Sequence, residues 1–150
     1  MSRRIAITSR GRLPLRRRAM PVVAVGIARL LARSSPRRIR AVLGILRTGA
    51  APASYEQAKE ARDSVVAASI LCAGEGCLQR SLATVLLCRF RGVWPTWCTG
   101  IRTAPFCAHA WVEADGEPVG EPQPADYFRP MIVVPPKAGR ADLATGSNQE

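Results

Sequence analysis

The sequence places a cysteine at the predicted start of a helix, directly after a Gly-Glu-Gly segment. Cys77 follows residues 74–76 and precedes an apolar run at helical spacing. The unpaired N–H groups and positive dipole end of a helix N-terminus favour a thiolate, and the same N–H groups can stabilise an oxyanion. Cys77 is therefore the candidate nucleophile. The remaining cysteines are predicted to be buried, inert thiols: Cys72, Cys88, Cys98 and Cys107.

The only histidine in the chain, His109, lies 32 residues after Cys77 in the segment A-H-A-W-V-E. A base on a strand that faces the N-terminus of a central helix is a common way to assemble a Cys–His pair. Each residue alone also has a structural interpretation, as a buried thiol or a packed imidazole. Their joint placement favours catalysis, with Cys77 as nucleophile and His109 as base.

A carboxylate that orients the imidazole depends on the register of the predicted hairpin. A two-residue turn at 115–116 would place Glu121 opposite Ala110 and direct it away from the face that carries His109. A three-residue turn at 114–116 would place Glu121 opposite His109, with about 5 Å between their Cβ atoms. We expect the second register, because it places a carboxylate beside the imidazole of His109.

The other acidic residues of this region are less well placed. The three-residue turn pairs Glu113 with Glu117, and Glu113 then lies about 13 Å from His109 along the strand. Asp126 lies beyond the hairpin and needs a bend to return. Glu121 is therefore the predicted orienting carboxylate, and Asp126 stays open as an alternative.

The elements that must position these residues change type near Gly92. Ser54 and Gln57 form a capping-box pattern after a linker at 48–54. Helices are predicted at 22–33, 37–47, 55–71 and 77–91, and strands at 94–101, 107–114, 117–121 and 131–134. Helices followed by antiparallel strands predict an α+β domain in which the central helix at 77–91 packs on the sheet.

Two segments carry a family resemblance. CLQRSLATVLLCRFRGV (77–93) and TGIRTAPFCAHAWVEADGEPVGE (99–121) resemble the transglutaminase-like cysteine peptidases of lasso-peptide biosynthesis. The resemblance covers about residues 20–134 and implies a papain/transglutaminase-like fold. It also implies removal of the leader from a ribosomally made precursor peptide. Cys77 and His109 match the family's Cys and His, whereas Glu121 stands where the family usually has Asp.

The resemblance also implies partners. In many members a small separate protein binds the leader and delivers it to the peptidase, and an ATP-dependent cyclase then closes the macrolactam ring. No cofactor is implied. Three other functions stay open at this stage: transglutaminase-like acyl transfer to an amine, a non-catalytic basic adaptor, and a structural zinc module, the last of which lacks any C-x2-C pair.

The net charge of +11 is concentrated near the N-terminus, where residues 1–47 contain 13 arginines and no acidic residue. We expect a flexible Arg-rich arm at 1–19, a peptidase domain at 20–136 and a disordered tail at 137–150. No aromatic residue precedes Tyr55, and no helix-turn-helix or zinc-finger spacing is present, which argues against specific nucleic-acid binding. The basic helices within 22–47 could instead dock an acidic partner.

The apolar run at 19–32 is too short to span a bilayer, and Arg29 interrupts it. No small-residue cleavage site follows it clearly, so a signal peptide is not indicated. Five cysteines make an odd count that does not suit a disulfide framework. These features predict a cytoplasmic protein without disulfides or a bound metal, for which membrane contact is not expected.

Overall fold

The computed structural model describes residues 15–137, in which helices precede a sheet. The helices are α1 (Leu15–Leu31), α2 (Pro36–Leu46), α3 (Tyr55–Ala68), α4 (Ile70–Ala73) and α5 (Cys77–Phe90). The strands are β1 (Ala51–Pro52), β2 (Val93–Trp94), β3 (Thr96–Thr103), β4 (Phe106–Ala114), β5 (Glu117–Pro118) and β6 (Arg129–Val134).

The helices follow the predicted order, with two differences. Helix α1 begins at Leu15 instead of residue 22, so residues 15–19 of the predicted arm are helical. The predicted helix at 55–71 is interrupted at Ser69, whose backbone is extended and whose side chain accepts a hydrogen bond from the backbone N–H of Cys72. This cap satisfies a donor at the start of α4. Residues 1–14 and 138–150 of the predicted arm and tail lie outside the described residues.

Helix α3 begins as its sequence predicts. The Ser54 side chain accepts a hydrogen bond from the backbone N–H of Gln57, and the Gln57 side chain accepts one from the backbone N–H of Ser54. This reciprocal capping box satisfies donors that the first turn of a helix leaves unpaired. It fixes the start of α3, and side chains of this helix contact the loop that carries Glu121.

Four strands form an antiparallel sheet in the order β5-β4-β3-β6. The predicted linker at 48–54 contributes the short strand β1, which pairs in parallel with β2. Helix α5 packs on β4, while α1 and α3 pack on α5. The chain therefore has the predicted α+β architecture, with α5 as the central helix.

The hairpin between β4 and β5 has the register that we did not expect. Ala114 pairs with Glu117, which makes Asp115 and Gly116 a two-residue turn. Both turn residues have positive φ, 53° and 77°, as the Asp-Gly sequence of a type I′ turn favours. The three-residue turn is therefore wrong, and β5 ends at Pro118, well before Glu121.

Helix α5 is buried along most of its length, and one polar contact fixes it to the sheet. Its core residues include Leu82, Val85 and Leu87, each fully buried. The indole Nε1 of Trp97 on β3 donates a hydrogen bond to the Ser81 hydroxyl, at 3.0 Å. A buried donor that finds its partner on a neighbouring element specifies one arrangement of the two. This bond therefore sets the position of α5 relative to β3.

The turn that precedes α5 is closely packed. A Cβ on Gly76 would lie 2.6 Å from the Leu71 carbonyl oxygen, so only glycine fits without a shift. The Arg80 guanidinium donates hydrogen bonds to the carbonyls of Cys72 and Gly74, at 3.1 and 3.0 Å. A side chain of α5 thus holds the segment that leads into the first residue of the same helix.

Gly76→Ala should destabilise the protein, because the new methyl group meets a backbone atom that cannot rotate away. We expect the free energy of unfolding in urea to fall by about 1–3 kcal/mol, the usual cost of overpacking. Gly44→Ala is the matched control, because it lies inside α2 with no heavy atom within 4 Å of the added Cβ. That variant should gain about 0.5–1 kcal/mol. Equal urea midpoints for the two variants would contradict the packing argument.

Candidate active site

Cys77 is the first residue of α5, with Gly76 as the N-cap. Gly76 has no side chain to cap the helix, and Arg80 is the first α5 residue whose N–H bonds back to the carbonyl of Gly76. Cys77 is partly exposed, whereas residues 81–88 of α5 are buried. A thiol at this position combines solvent access with the field of the helix N-terminus.

His109 lies on β4, beyond the short stretch that β5 covers. Its ring stacks on Phe128, with 4.9 Å between centroids, and on Trp111, with 5.9 Å. These contacts limit rotation of the imidazole, whose side chain is 16% exposed. The sheet and two aromatic rings therefore hold the base in one orientation.

Glu121 reaches His109 by a route that the sequence did not indicate. Its Oε2 lies 2.9 Å from His109 Nε2, and its side chain is 8% exposed. The chain leaves the sheet after Val119, whose backbone N–H still donates to the Val112 carbonyl, and Gly120 adopts a φ of 64° that turns the backbone toward the histidine. A residue outside the ladder is free of strand alternation, so Glu121 faces His109 although the predicted register is wrong.

The contact at Nε2 assigns a separate role to each ring nitrogen of His109. When Nε2 donates its hydrogen to Glu121, Nδ1 is the nitrogen that can exchange a proton with Cys77. The hydrogen bond between imidazole and thiol is the largest influence on both groups, lowering the pKa of Cys77 and raising that of His109. The structure thus brings the predicted nucleophile, base and carboxylate together, and the carboxylate bonded to His109 is that of Glu121 and not that of Asp126.

The pKa shifts favour a thiolate beside an imidazolium. Hydrogen bonding with Cys77 and then with Glu121 raises the pKa of His109 to about 9. The pKa of Cys77 falls below its usual value because the hydrogen bond from His109 outweighs burial, which favours the neutral thiol. Opposite shifts in two touching groups are the signature of a coupled pair, whose protons leave in steps that belong to both.

The Glu121 carboxylate stays ionised although it is nearly buried. Burial alone would raise its pKa, but the hydrogen bond and charge of His109, with the charges of Arg62 and Arg80, hold the pKa below its usual range. A carboxylate that keeps its charge stabilises an adjacent imidazolium. The site can therefore support an activated thiolate and a proton donor at neutral pH.

Helix α3 supports the Glu121 loop with residues that sequence reasoning missed. The Tyr55 hydroxyl accepts a hydrogen bond from the backbone N–H of Gly120, at 3.4 Å, and the backbone N–H of Tyr55 donates to the Asp115 carboxylate, at 2.8 Å. The Arg62 guanidinium lies against Gly120 and 3.9 Å from Glu121. The capping box located the start of α3, but no spacing indicated that these side chains reach a loop some sixty residues away.

The other cysteines lack these features. Cys72, Cys88 and Cys98 are buried, and burial raises the pKa of Cys88 and of Cys98 to about 12. Cys107 is exposed, so the prediction of a buried thiol is wrong at that position. It lies near the end of β4 that no strand covers on its outer side.

Residues 15–137 contain no cluster of three or more His, Cys, Asp and Glu side chains that could hold a metal ion. Over the same residues, no helix is both long and apolar enough to cross a membrane.

A thiol at the start of a central helix, a histidine on the adjoining antiparallel sheet and this α+β order define a papain-like architecture. The family model described as the transglutaminase-like superfamily matches residues 21–133, which is most of the chain. The chain belongs to the transglutaminase-like superfamily. Neither curated proteins nor solved structures provide a match.

Glu121→Gln should lower the pKa of His109 from about 9, because it removes a charge that stabilises the imidazolium. Cys77→Ala should lower the same pKa further, since its hydrogen bond is the larger influence. His109 is the only histidine, so its ring protons report the titration in NMR without assignment. A midpoint that neither substitution moves would contradict the three-residue coupling.

Arg62→Ala should raise the pKa of Glu121, since it removes a nearby positive charge and frees the loop at Gly120. The His109 NMR signal senses protonation of its partner, so its acid-side inflection should move to higher pH. Arg91→Ala is the matched control, because Arg91 pairs with Glu60, at 3.7 Å, away from the site. The same shift in both variants would assign the effect to net charge and contradict a specific role for Arg62.

Proposed function

We propose that this chain is a cysteine peptidase that removes the leader from a lasso-peptide precursor. The observation that carries the chemistry is the joint placement of Cys77, His109 and Glu121, with the carboxylate oxygen 2.9 Å from the imidazole. Members of the transglutaminase-like superfamily commonly use such a site for thiol hydrolysis or acyl transfer. The leader-peptidase role rests on the resemblance of the segments around Cys77 and His109.

The Cys77 sulfur attacks the scissile carbonyl carbon and forms a tetrahedral intermediate, whose oxyanion is stabilised by backbone N–H groups at the start of α5. Collapse of the intermediate breaks the C–N bond, and the imidazolium of His109 gives its proton to the departing amine. A thioester links the acyl part of the precursor to Cys77.

Deacylation uses the same residues in reverse order. Neutral His109 takes a proton from water as the water oxygen attacks the thioester carbon, and the C–S bond then breaks. Glu121 holds Nε2 throughout and stabilises the imidazolium each time it forms. The released carboxylic acid and the restored thiolate complete the cycle.

The resemblance implies that the substrate arrives with help. A small leader-binding protein would present the precursor, and an ATP-dependent cyclase would use the freed amine. The Arg-rich helices α1 and α2 offer a basic surface for an acidic partner, as charge complementarity favours. An amine in place of water would make the same site an acyltransferase, which shares every residue of the acylation step.

The decisive experiment is incubation of a lasso-peptide precursor with this protein, alone and with a leader-binding protein of the kind that the resemblance implies. We expect cleavage to yield free leader, and we expect Cys77→Ala to abolish it. His109→Ala should reduce the rate by about 10²–10⁴-fold, the usual contribution of a positioned acid–base group.

Cys107→Ala is the control, because that thiol is exposed and lies outside the catalytic contacts. It should leave the rate unchanged. Cleavage by Cys77→Ala protein would overturn the proposal. Amide-joined products in mass spectra, instead of hydrolysed leader, would replace peptidase with acyltransferase.

A further inference from the structure

The sheet face that α5 covers continues beyond the first residue of that helix. Antiparallel pairing sets Thr99 opposite Ala110 and Ile101 opposite Ala108. By strand alternation these four side chains share the face that carries Trp97, which packs in the core with α5. Ala110 is buried, whereas Ala108 is exposed and Thr99 and Ile101 are partly exposed. Cys77 therefore stands at the boundary between a covered and an uncovered part of one sheet face.

This uncovered part is the floor of a surface cleft of about 260 Å³ beside the candidate nucleophile. Cys77 and His109 line one end of it, and Leu78 of α5 forms a wall. The opposite wall is Met131, the extra residue of a β-bulge in which β6 passes from pairing with Thr99 to pairing with Gly100. Met131 is 61% exposed, as expected of a side chain at an open cleft.

The lining of the cleft is apolar apart from the catalytic groups and one hydroxyl. Most of its floor consists of small residues, and the aliphatic side chains that line it are those of Leu78, Ile101 and Met131. A charged side chain placed there would lose hydration without gaining a partner, whereas an aliphatic one would bury apolar surface. No arginine of residues 15–137 lines the cleft, so the arginines of that part of the chain do not alter this preference.

We propose that this cleft is a side-chain subsite that selects an aliphatic residue of the substrate next to the reacting carbonyl, with Ile101 and Met131 as the specificity-determining residues. The effect of this subsite on catalysis rests on the proposed function of Cys77 as the nucleophile. The preference for an aliphatic group is a property of the cleft itself. It can be measured with small thiol reagents before any natural substrate is in hand.

The probes are three iodoacetamides that differ in the group on nitrogen: isobutyl, 2-carboxyethyl and 2-aminoethyl. In each reaction the Cys77 thiolate forms a C–S bond to the methylene carbon, the C–I bond breaks, and iodide leaves. Site-resolved mass spectrometry gives the rate at Cys77. The rate at exposed Cys107 in the same molecule corrects for intrinsic reactivity and for the net charge of the protein.

We expect the isobutyl reagent to react at Cys77 about tenfold faster than both charged reagents after this correction, a ratio typical of one apolar contact. Ile101→Asp and Met131→Asp should reduce the ratio to within about twofold. Val133→Asp is the matched control on the same strand, because Val133 is 46% exposed and does not line the cleft. It should keep the wild-type ratio.

Ala108→Leu provides a second test that introduces no charge. The larger side chain fills the floor of the cleft, so the isobutyl preference should fall while plain iodoacetamide still reacts with Cys77. An undiminished preference in this variant would overturn the proposal, as would equal corrected rates of the three reagents in the wild type.

The two proposals fail in different ways. If Cys77 reacts with plain iodoacetamide no faster than Cys107 at neutral pH, the activated thiolate of the proposed function is wrong. If Cys77 reacts faster but shows no isobutyl preference, the thiolate stands and the aliphatic subsite alone is overturned.

Discussion

The structure depends on one imidazole that is bound from two sides. His109 interacts with the Cys77 thiol and, through Nε2, with the Glu121 carboxylate 2.9 Å away. Three elements with no common hydrogen-bond ladder must therefore meet at one point: the start of α5, the middle of β4 and the loop after β5. A nearly buried carboxylate keeps its charge only where cations stabilise it. The contact between these elements is therefore needed to keep Glu121 ionised as well as to bring the three side chains together.

The supports around the imidazole come from different kinds of interaction. The indole of Trp97 bonds to Ser81 and fixes α5 on the sheet, while Phe128 stacks on the ring of His109. Arg62 packs against Gly120 and places a positive charge beside Glu121. The same end of α5 stops short of the sheet edge, which leaves the apolar cleft uncovered beside Cys77. The position of the helix end that presents Cys77 to solvent thus also leaves an apolar surface exposed beside it.

The hairpin shows a limit of predicting side-chain contacts from the alternation of residues along a strand. We expected Glu121 to reach His109 as a cross-strand neighbour, which required a three-residue turn. The Asp115-Gly116 pair instead forms a two-residue turn, because positive φ at both positions matches the twist of the strands. Glu121 arrives from a loop at Gly120, where strand alternation no longer applies. Glu121 lies beside His109 as expected, but it does so from a loop and not from a paired position on a strand.

Sequence by itself determined the order of the main helices and strands, the capping box at Ser54 and the helix start at Cys77, because each depends on neighbours within a few residues. It also located the hairpin at Asp115-Gly116, but the expected length of the turn was wrong. Only the tertiary structure decided which residues far apart in sequence lie together in the fold. The approach of Arg62 to Glu121, the exposure of Cys107 and the bare sheet face beside Cys77 depend on where distant elements stop. Local periodicity records which face of an element is buried, but it carries no information about which partner buries it or how far that partner extends.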